Sequence, residues 1–240
     1  MSLSIIIPVH NESSQILTTL KSLIKIKGKV NKFEIIIIDD FSTDNTKNVI
    51  KKFSSKKKFI KIFNNKKKGL GSAISLGILK SINKYVAIFM ADMSDDPKDL
   101  LNYYSEINKK NLDAVFGTRF SNKSLVVDYP IFKLVLNRIF NYSVSLLFLS
   151  SYNDFTNAFK IYKKDTLVSL FPIVSENFNI FLELPLKIIS RKYKYTIIPI
   201  KWRNRKKGVS KFRIRELGSM YVFTLIYCLL EKFLLNKKRV

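Results

Sequence analysis

The sequence predicts an α/β fold, a mainly parallel twisted sheet flanked by helices, followed by a C-terminal helical extension. Three observations lead there. Residues 3–117 alternate short apolar runs with stretches of helical periodicity, the pattern of strands joined by right-handed crossovers. Some of the runs are apolar without a break, Ile35-Ile36-Ile37-Ile38 among them, as a strand covered on both faces must be. Past residue 125 long apolar helices take over, with Ile131, Leu134, Val135, Ile139, Tyr142, Leu146 and Leu149 stepping by three and four.

Taken in order, residues 3–9 form the first strand. Residues 11–25 read as a helix, because Ile16, Leu17, Leu20, Leu23 and Ile24 share one face. A second strand, 33–38, runs into Asp39-Asp40, and a helix over 44–53 follows. Phe59-Ile60-Lys61-Ile62-Phe63 is a third strand, and 71–82 is a helix. Residues 85–90 form the strand that delivers Asp92, after which Pro97 opens a helix to 108, proline being preformed for a first helical turn. A strand at 113–117 closes the alternating part. Helices over 131–149, 165–171 and 178–190 come next, then a strand at 195–200, a basic loop at 203–211 and a last apolar helix over about 216–235. No internal repeat is present.

With 240 residues, 47% of them hydrophobic, and only seven glycines, the chain can bury a core, which excludes a disordered protein. The single cysteine, Cys228, excludes an intramolecular disulfide framework and sits in an apolar stretch, where it reads as a core or membrane-facing residue. No basic region followed by a cleavage site precedes the first strand, so a cytoplasmic location is expected. The net charge of +25 implies an anionic partner: nucleic acid, a lipid surface or phosphorylated substrates. A lysine-rich background composition would also account for runs such as Lys56-Lys57-Lys58. The excess is densest over 160–215, with fifteen Lys or Arg against three acids. The longest charge-free stretches, 139–153 and 217–230, both fall short of the ~18–20 apolar residues a membrane span needs, and suit buried or interfacial helices.

Polar clusters fall at three predicted strand ends: Pro8-Val9-His10-Asn11-Glu12, Asp39-Asp40, and Asp92 to Asp96. Open parallel sheets bind ligands at that edge, and helices that start there favour anions. Closely spaced acids can hold a divalent cation against a diphosphate; the plainer reading of each cluster is a polar loop after a core strand. No phosphate-loop lysine motif and no G-x-G-x-x-G occurs, and Gly69-Leu70-Gly71 is too short to stand as a phosphate loop by itself.

Four segments, Pro8-Val9-His10-Asn11-Glu12, Ile38-Asp39-Asp40-Phe41-Ser42-Thr43-Asp44-Asn45-Thr46, Lys68-Gly69-Leu70-Gly71-Ser72-Ala73 and Met90-Ala91-Asp92, resemble in order the signature of family 2 glycosyltransferases. Three more resemble the branch that includes dolichol-phosphate mannosyltransferase and other polyprenyl-phosphate sugar transferases. These are Gly117-Thr118-Arg119-Phe120, Asp154-Phe155-Thr156-Asn157-Ala158-Phe159-Lys160 and Arg205-Lys206-Lys207-Gly208-Val209-Ser210-Lys211. The resemblance runs from residue 3 to about 212. It implies a GT-A-like fold, a nucleotide-sugar donor, a polyprenyl phosphate acceptor, Mg2+ or Mn2+ as cofactor, and inversion at the anomeric carbon. With the change from alternating strands and helices to long apolar helices, it leads to a domain over 1–212, with a donor-binding half of about 1–125 and an acceptor-side half of about 126–212, followed by an apolar, basic helix and tail over 213–240.

The same resemblance puts Pro8, Glu12 and Asp40 near the nucleotide and makes Asp92 the second acid of a D-x-D motif that ligates the metal. Arg119 and Arg205 match basic residues that contact phosphates, and Ser210 and Lys211 lie in the loop that covers the donor. Four positions depart from the family pattern: His10 replaces an aromatic residue, Met90 replaces the first acid of D-x-D, Ser94 replaces glutamine, and Asn157-Ala158 replaces Ser-Gly. The candidate site is then as follows. Asp92, Arg119 and Arg205 are catalytic. Pro8, His10, Glu12, Asp39, Asp40, Gly69, Ala91, Asp92, Ser210 and Lys211 bind the donor. Arg119, Arg138 and Asn157 bind the acceptor, and Asp92 with Ser94 holds the metal.

The chemistry is self-consistent. A lipid phosphate, with a second pKa near ~6, is largely ionised at neutral pH and attacks without a protein base. A sugar hydroxyl would need a base, for which Asp95 and Asp96 are available; capping the helix at Pro97 is the favoured role for both. Trp202 reads first as core or interface, then as a stacking surface. The apolar helices near basic residues suit a core, a homodimer or membrane-protein contact, or a lipid headgroup layer, which would place the protein on the inner face of the membrane. Other readings are transfer to a sugar hydroxyl in surface polysaccharide synthesis, a non-catalytic nucleotide-binding protein, and a nucleic-acid-binding protein. The last is disfavoured, because acids at three strand ends repel a phosphate backbone.

Overall fold

The structure is a computed structural model that describes residues 2–204 and 214–237, with the side chains of 218–234 in the last helix. In chain order the elements are β1 (Ser2–Val9), α1 (Ile16–Ile24), a single 3-10 turn (Lys27–Lys29), β2 (Lys32–Asp39), α2 (Thr46–Ser54), β3 (Ile60–Asn64), α3 (Leu70–Lys80), β4 (Tyr85–Ile88) and α4 (Pro97–Lys109). There follow β5 (Ala114–Thr118), β6 (Leu125–Val127), α5 (Ile131–Phe148), β7 (Lys160–Lys163), α6 (Lys164–Ser169), α7 (Ile180–Ser190), β8 (Tyr195–Pro199), β9 (Lys201–Arg203) and α8 (Ile214–Lys237).

Seven strands form one sheet in the order β3-β2-β1-β4-β7-β5-β8. Neighbours are parallel except β7, which lies antiparallel between β4 and β5. A separate parallel pair joins β6 to β9. The isoleucine runs explain the layering. In β1, Ile5 and Ile7 face one core cluster while Ile6 faces the other. In β2, Ile35 and Ile37 face the first and Ile36 and Ile38 the second, and all four are fully buried. Successive strand side chains point to opposite faces, so an unbroken apolar run signals a sheet covered on both sides. Helices α1 and α4 cover one face; α3, α6 and α7 cover the other.

Four features depart from the sequence reading. The helix expected from residue 11 starts at Ile16, because Asn11 at φ 52° spends its side chain on the neighbouring loop. Strands β6, β7 and β9 were not expected; each has three or four residues, with lysines at both ends of β7. The last helix packs chiefly against α7, and its contact with α5 includes the Phe140–Tyr221 ring pair at 5.6 Å. Finally, α5 as a helix spans 18 residues with a mean hydropathy of 1.3, long and apolar enough to cross a membrane by length and composition, although Lys133 and Arg138 lie within it.

Helices α5 and α7 are both apolar but differ in cover. Helix α7 is buried along nearly its whole length, including Glu183 and Lys187, which pair at 2.8 Å one turn apart. In α5 only Asn141, Val144 and Phe148 are buried, and Phe132, Tyr142 and Leu146 are about two-thirds exposed or more.

Candidate active site

The C-terminal ends of β1, β2 and β4 meet at one edge of the sheet. After β1 the chain turns at Asn11, whose Oδ1 accepts from the amides of Thr43 (2.8 Å) and Asp44 (3.3 Å). Glu12 N donates to Thr46 Oγ1 at 2.9 Å and Ser13 N to Asp44 Oδ2 at 3.2 Å. Burial works against the Asp44 charge, but hydrogen bonds from Thr46 and Ser13 outweigh it and hold its carboxyl down at about 2. The loops after β1 and β2 are thus one hydrogen-bonded unit.

The two acids that end β2 divide their work. Asp39 accepts from Ser42 N (3.3 Å) and pairs with Lys47 (3.2 Å). Asp40 turns the other way: its Oδ1 accepts from Asn65 Nδ2 (2.8 Å) and Gly69 N (2.9 Å), and its Oδ2 from Gly69 N (3.1 Å). The Asp40 carbonyl oxygen lies 2.6 Å from His10 Nδ1. Gly69 has φ 144°, and a Cβ there would lie 2.4 Å from Glu176 O, so the position requires glycine. The α3 N-terminus is not open to anions in this arrangement. Gly71 N and Ser72 N donate to Glu176 O at 2.8 and 3.3 Å, which corrects the expectation for this helix.

These contacts shape a cleft of about 370 Å³. Three stretches line it, Pro8 to Glu12 (Asn11 excepted), Asp40, and Lys68 to Leu70, together with Met90, Asn177 and Phe178. Of the residues expected at the donor, Pro8, His10, Glu12, Asp40 and Gly69 come together here. Asp39 lies beside the cleft, and Ala91 is buried with its carbonyl accepting from Thr19 Oγ1 at 2.7 Å. Arg205, Ser210 and Lys211 lie outside the described residues.

Beyond Met90 the chain reaches the acids. Met93 at φ 60° folds Ser94 back so that its amide donates to Asp92 Oδ1 at 3.1 Å. Asp96 caps α4, accepting from Lys98 N at 2.9 Å. Asp95 does not cap. Its side chain is buried, its Oδ1 has no hydrogen-bond partner, and its backbone bridges to Trp202. Burial first and the nearby Asp92 second push the Asp95 carboxyl up to about 8, with Arg119 opposing.

A charge cluster lies next to Asp95. Arg119 follows β5 and is bound by Asp154 through three bonds: its backbone N and its Nε, both to Oδ2 (2.9 Å), and its Nη2 to Oδ1 (2.6 Å). Phe120, Tyr129 and Trp202 ring the guanidinium at 5.3–5.5 Å. Burial opposes the Arg119 charge, but Asp154 overrides it and raises the pKa. Asn157 Nδ2 donates to Gly117 O at 3.0 Å. Below it the buried Lys160 points its ammonium at the carbonyls of Asn157 and Phe155, and burial lowers its pKa to about 7. At the rim, Arg138 Nη1 donates to Asn153 O at 3.0 Å, with its guanidinium 4.3 Å from the Phe120 ring. Arg203 N donates to Ser94 O at 3.0 Å, so the chain passes the acids just before residue 205.

Among the described residues no group of three His, Cys, Asp or Glu side chains is placed to cage a metal. Asp92 with Ser94 fits the looser mode of Mg2+, one carboxylate with substrate phosphates and water as the other ligands. Sequence reasoning missed the cleft wall at Asn177 and Phe178, which carry no motif. It quoted Asp154 and Lys160 without giving them roles.

The sequence profile described as glycosyl transferase family 2 matches residues 4–171. The dolichyl-phosphate beta-glucosyltransferase of Dictyostelium discoideum is 30% identical over 186 residues, 71% of this chain and 56% of that protein. The chain therefore spans little more than half of that relative. Glucosyl-3-phosphoglycerate synthase from Mycobacterium tuberculosis, solved with Mn2+, UDP and phosphoglyceric acid, superposes with a TM-score of 0.74 at 15% identity, over 95% of this chain and 78% of that one. The same enzyme solved with Mg2+ and UDP gives 0.73 at 16% identity, over 96% and 79%. The likeness bears out the GT-A-like fold.

Proposed function

The chain belongs to glycosyl transferase family 2, and from that membership we propose that it moves a sugar, with inversion, from a nucleotide-sugar donor to a polyprenyl phosphate such as dolichyl or undecaprenyl phosphate. One observation carries the lipid acceptor. Helix α5, whose apolar side chains are largely exposed, also carries Arg138, and the Phe120 ring lies between the guanidinium of Arg138 (4.3 Å) and that of Arg119 (5.3 Å). The 30% identity to a dolichyl-phosphate beta-glucosyltransferase supports the same reading.

In this reading the nucleotide lies in the cleft, with its ring against Pro8 and Phe178 and a polar edge toward Asp40. Asp92 and Ser94 hold Mg2+ or Mn2+, which would neutralise the leaving diphosphate. Arg119, fixed by Asp154, keeps a permanent positive charge beside the transferred sugar. The acceptor phosphate arrives ionised and needs no base. Arg205, Ser210 and Lys211, which lie outside the described residues, keep the donor-contacting role that the resemblance implies. The donor and acceptor halves are divisions of role, since β7 and β8 complete the sheet that β1–β5 begin. The apolar helices lie in the headgroup layer at the cytoplasmic face, flanked by basic residues.

Asp95 favours a second reading, transfer to a sugar hydroxyl. Its buried Oδ1 has no hydrogen-bond partner, and a carboxyl raised to about 8 would serve as a base once ionised, toward the alkaline end of the working range, a role that a phosphate acceptor does not require. The test is a donor screen with Mg2+ or Mn2+ in which release of nucleoside diphosphate is followed with polyprenyl phosphate or with a simple glycoside as acceptor. Release that depends on the lipid phosphate is expected. Release that depends only on the glycoside would replace the lead reading with the second.

A further inference from the structure

Asn177 lies on a segment that is fixed in its backbone and adjustable at one side chain. Val174 N and Ser175 N donate to the Glu183 carboxylate at 3.0 and 2.7 Å, and Glu183 is held by Lys187. Glu176 O takes the Gly71 amide at 2.8 Å, while the Glu176 side chain pairs with Lys67. A Cβ on Gly71 would lie 2.1 Å from Ser175 O, so the segment rests directly on α3. The Asn177 amide is held far less firmly. Among the described residues its Nδ2 reaches only Met220 Sδ at 3.5 Å, a weak acceptor, so the amide can turn either end toward the cleft.

The neighbour that matters is Asp40. Asp40 takes two donors, the Asn65 Nδ2 at its Oδ1 and the Gly69 N–H shared between Oδ1 and Oδ2. Its Oδ2 keeps acceptor capacity for a ring N–H of a ligand. Asn177 Oδ1 would lie 3.4 Å from a Cβ on the same Gly69 whose amide holds Asp40. The carboxylate and the amide therefore meet at one residue on the cleft lining.

We propose that Asn177 is a specificity-determining residue of the donor cleft, reading the nucleobase edge next to the ring N–H that Asp40 accepts. This rests on the cleft being the nucleotide site. Uracil and thymine flank a ring N–H with carbonyls, so they take the NH2 end of the amide. Guanine flanks its ring N–H with an amino group and a carbonyl, so the amino group takes the oxygen end.

The test is the ratio of UDP to GDP affinity in the full chain with Mg2+, for wild type, Asn177→Ala and Asn177→Asp. The aspartate can only accept hydrogen bonds. Its charge opposes both diphosphates alike, so that effect cancels in the ratio. Asn177→Asp is expected to move the ratio toward GDP by about tenfold or more, whichever nucleotide the wild type prefers, as loss of a base contact does. Asn177→Ala is expected to weaken the preferred nucleotide about tenfold and to narrow the ratio. A ratio unmoved in both variants overturns the inference and leaves the donor reading standing. Failure of both nucleotides to bind the wild type overturns the donor reading and the inference with it.

Discussion

On the donor side, Asp40 bonds Asn65 and Gly69, Asp39 bonds Ser42 and Lys47, and Asn11 bonds Thr43 and Asp44. The Asn11 and Asp40 bonds tie one loop to another, while the Asp39 bonds stay within the segment after β2 and leave its buried Oδ1 without a partner. Around Asp95 the carboxyls of Asp92, Asp95, Asp99 and Asp154 lie near two buried cations among the described residues, Arg119 and Lys160. Asp95 keeps an oxygen without a partner and holds its proton up to about 8, and Lys160 releases its proton near 7. The contrast separates two kinds of polar residue. Those on the donor side build a cavity. Those around Asp95 form, among the described residues, a charge pattern with an excess of acid, which a divalent ion would offset.

The largest expected effect comes from removing Asp92, the acid proposed to face that ion. Asp92→Ala should lower turnover by roughly a hundred- to a thousandfold or more, while the melting temperature stays near the wild-type value. Turnover followed across a Mg2+ and Mn2+ titration, with thermal melting alongside, checks this. Full activity of the variant in chelator-treated buffer would show that the acids around Asp95 are as structural as the donor-side ones.

Next comes a pair in that cluster. Asp154 is fully buried and binds Arg119 by three bonds. Asp154→Ala strands a buried guanidinium, a loss of about 3–5 kcal/mol, readable in urea unfolding. On the donor side the exposed partner Lys47 offers the contrast: Lys47→Ala should cost at most about 1 kcal/mol. Equal losses in the two variants would erase the distinction between the edges.

A third test uses pH. Burial lowers Lys160 to about 7, helped by Arg119 and opposed by Asp154 and Asp95, whereas its ordinary value is 10.5. Between those values the unfolded chain holds a proton that the folded chain has released. Stability therefore rises with pH across that window, and the buried charge weighs most against the fold below about 7. The difference in unfolding free energy between wild type and Lys160→Met should shift in favour of the wild type as pH rises from 7 to 10. A difference that stays flat would mean that Lys160 is as settled as the donor-side groups.

How far the sequence could be read follows the same divide. The strands of the donor half were legible because their apolar runs are local, and Pro8, Glu12 and Asp40 because the strand-end clusters that hold them resemble the family signature. Strand β7 was not, because Lys160-Ile161-Tyr162-Lys163 becomes a strand only by fitting between β4 and β5, a pairing set by distant residues. Asp95 and Asp96 look alike in sequence. One donor, the Lys98 amide, selects Asp96 as the cap, and Asp95 turns inward. Asn177 and Phe178 reach the cleft only because the Glu183 carboxylate and the α3 N-terminus hold their loop there, contacts that no local pattern announces.

The smallest effect on stability is expected where the difference between the two sides reaches the surface. Through residue 124 the exposed large hydrophobics described are Phe41, Leu79 and Ile82; the others fall mainly on α5 and α8. Deleting α8 would not probe that face cleanly, because Tyr221, Thr224 and Cys228 are buried and the helix packs on α7. Substitution on α5 does. Ile139 and Leu146 are 60% and 65% exposed, two turns apart on one face, so Ile139→Ser with Leu146→Ser removes apolar surface without opening a cavity. Stability should change by no more than about 0.5 kcal/mol per site. Sedimentation with anionic vesicles should fall several-fold, since each buried CH2 contributes about 0.8 kcal/mol to lipid partition. Wild-type binding should weaken with added salt, as basic residues near the headgroups require. A double variant that sediments as fully as the wild type would take α5 off the membrane and leave its apolar face to a protein partner.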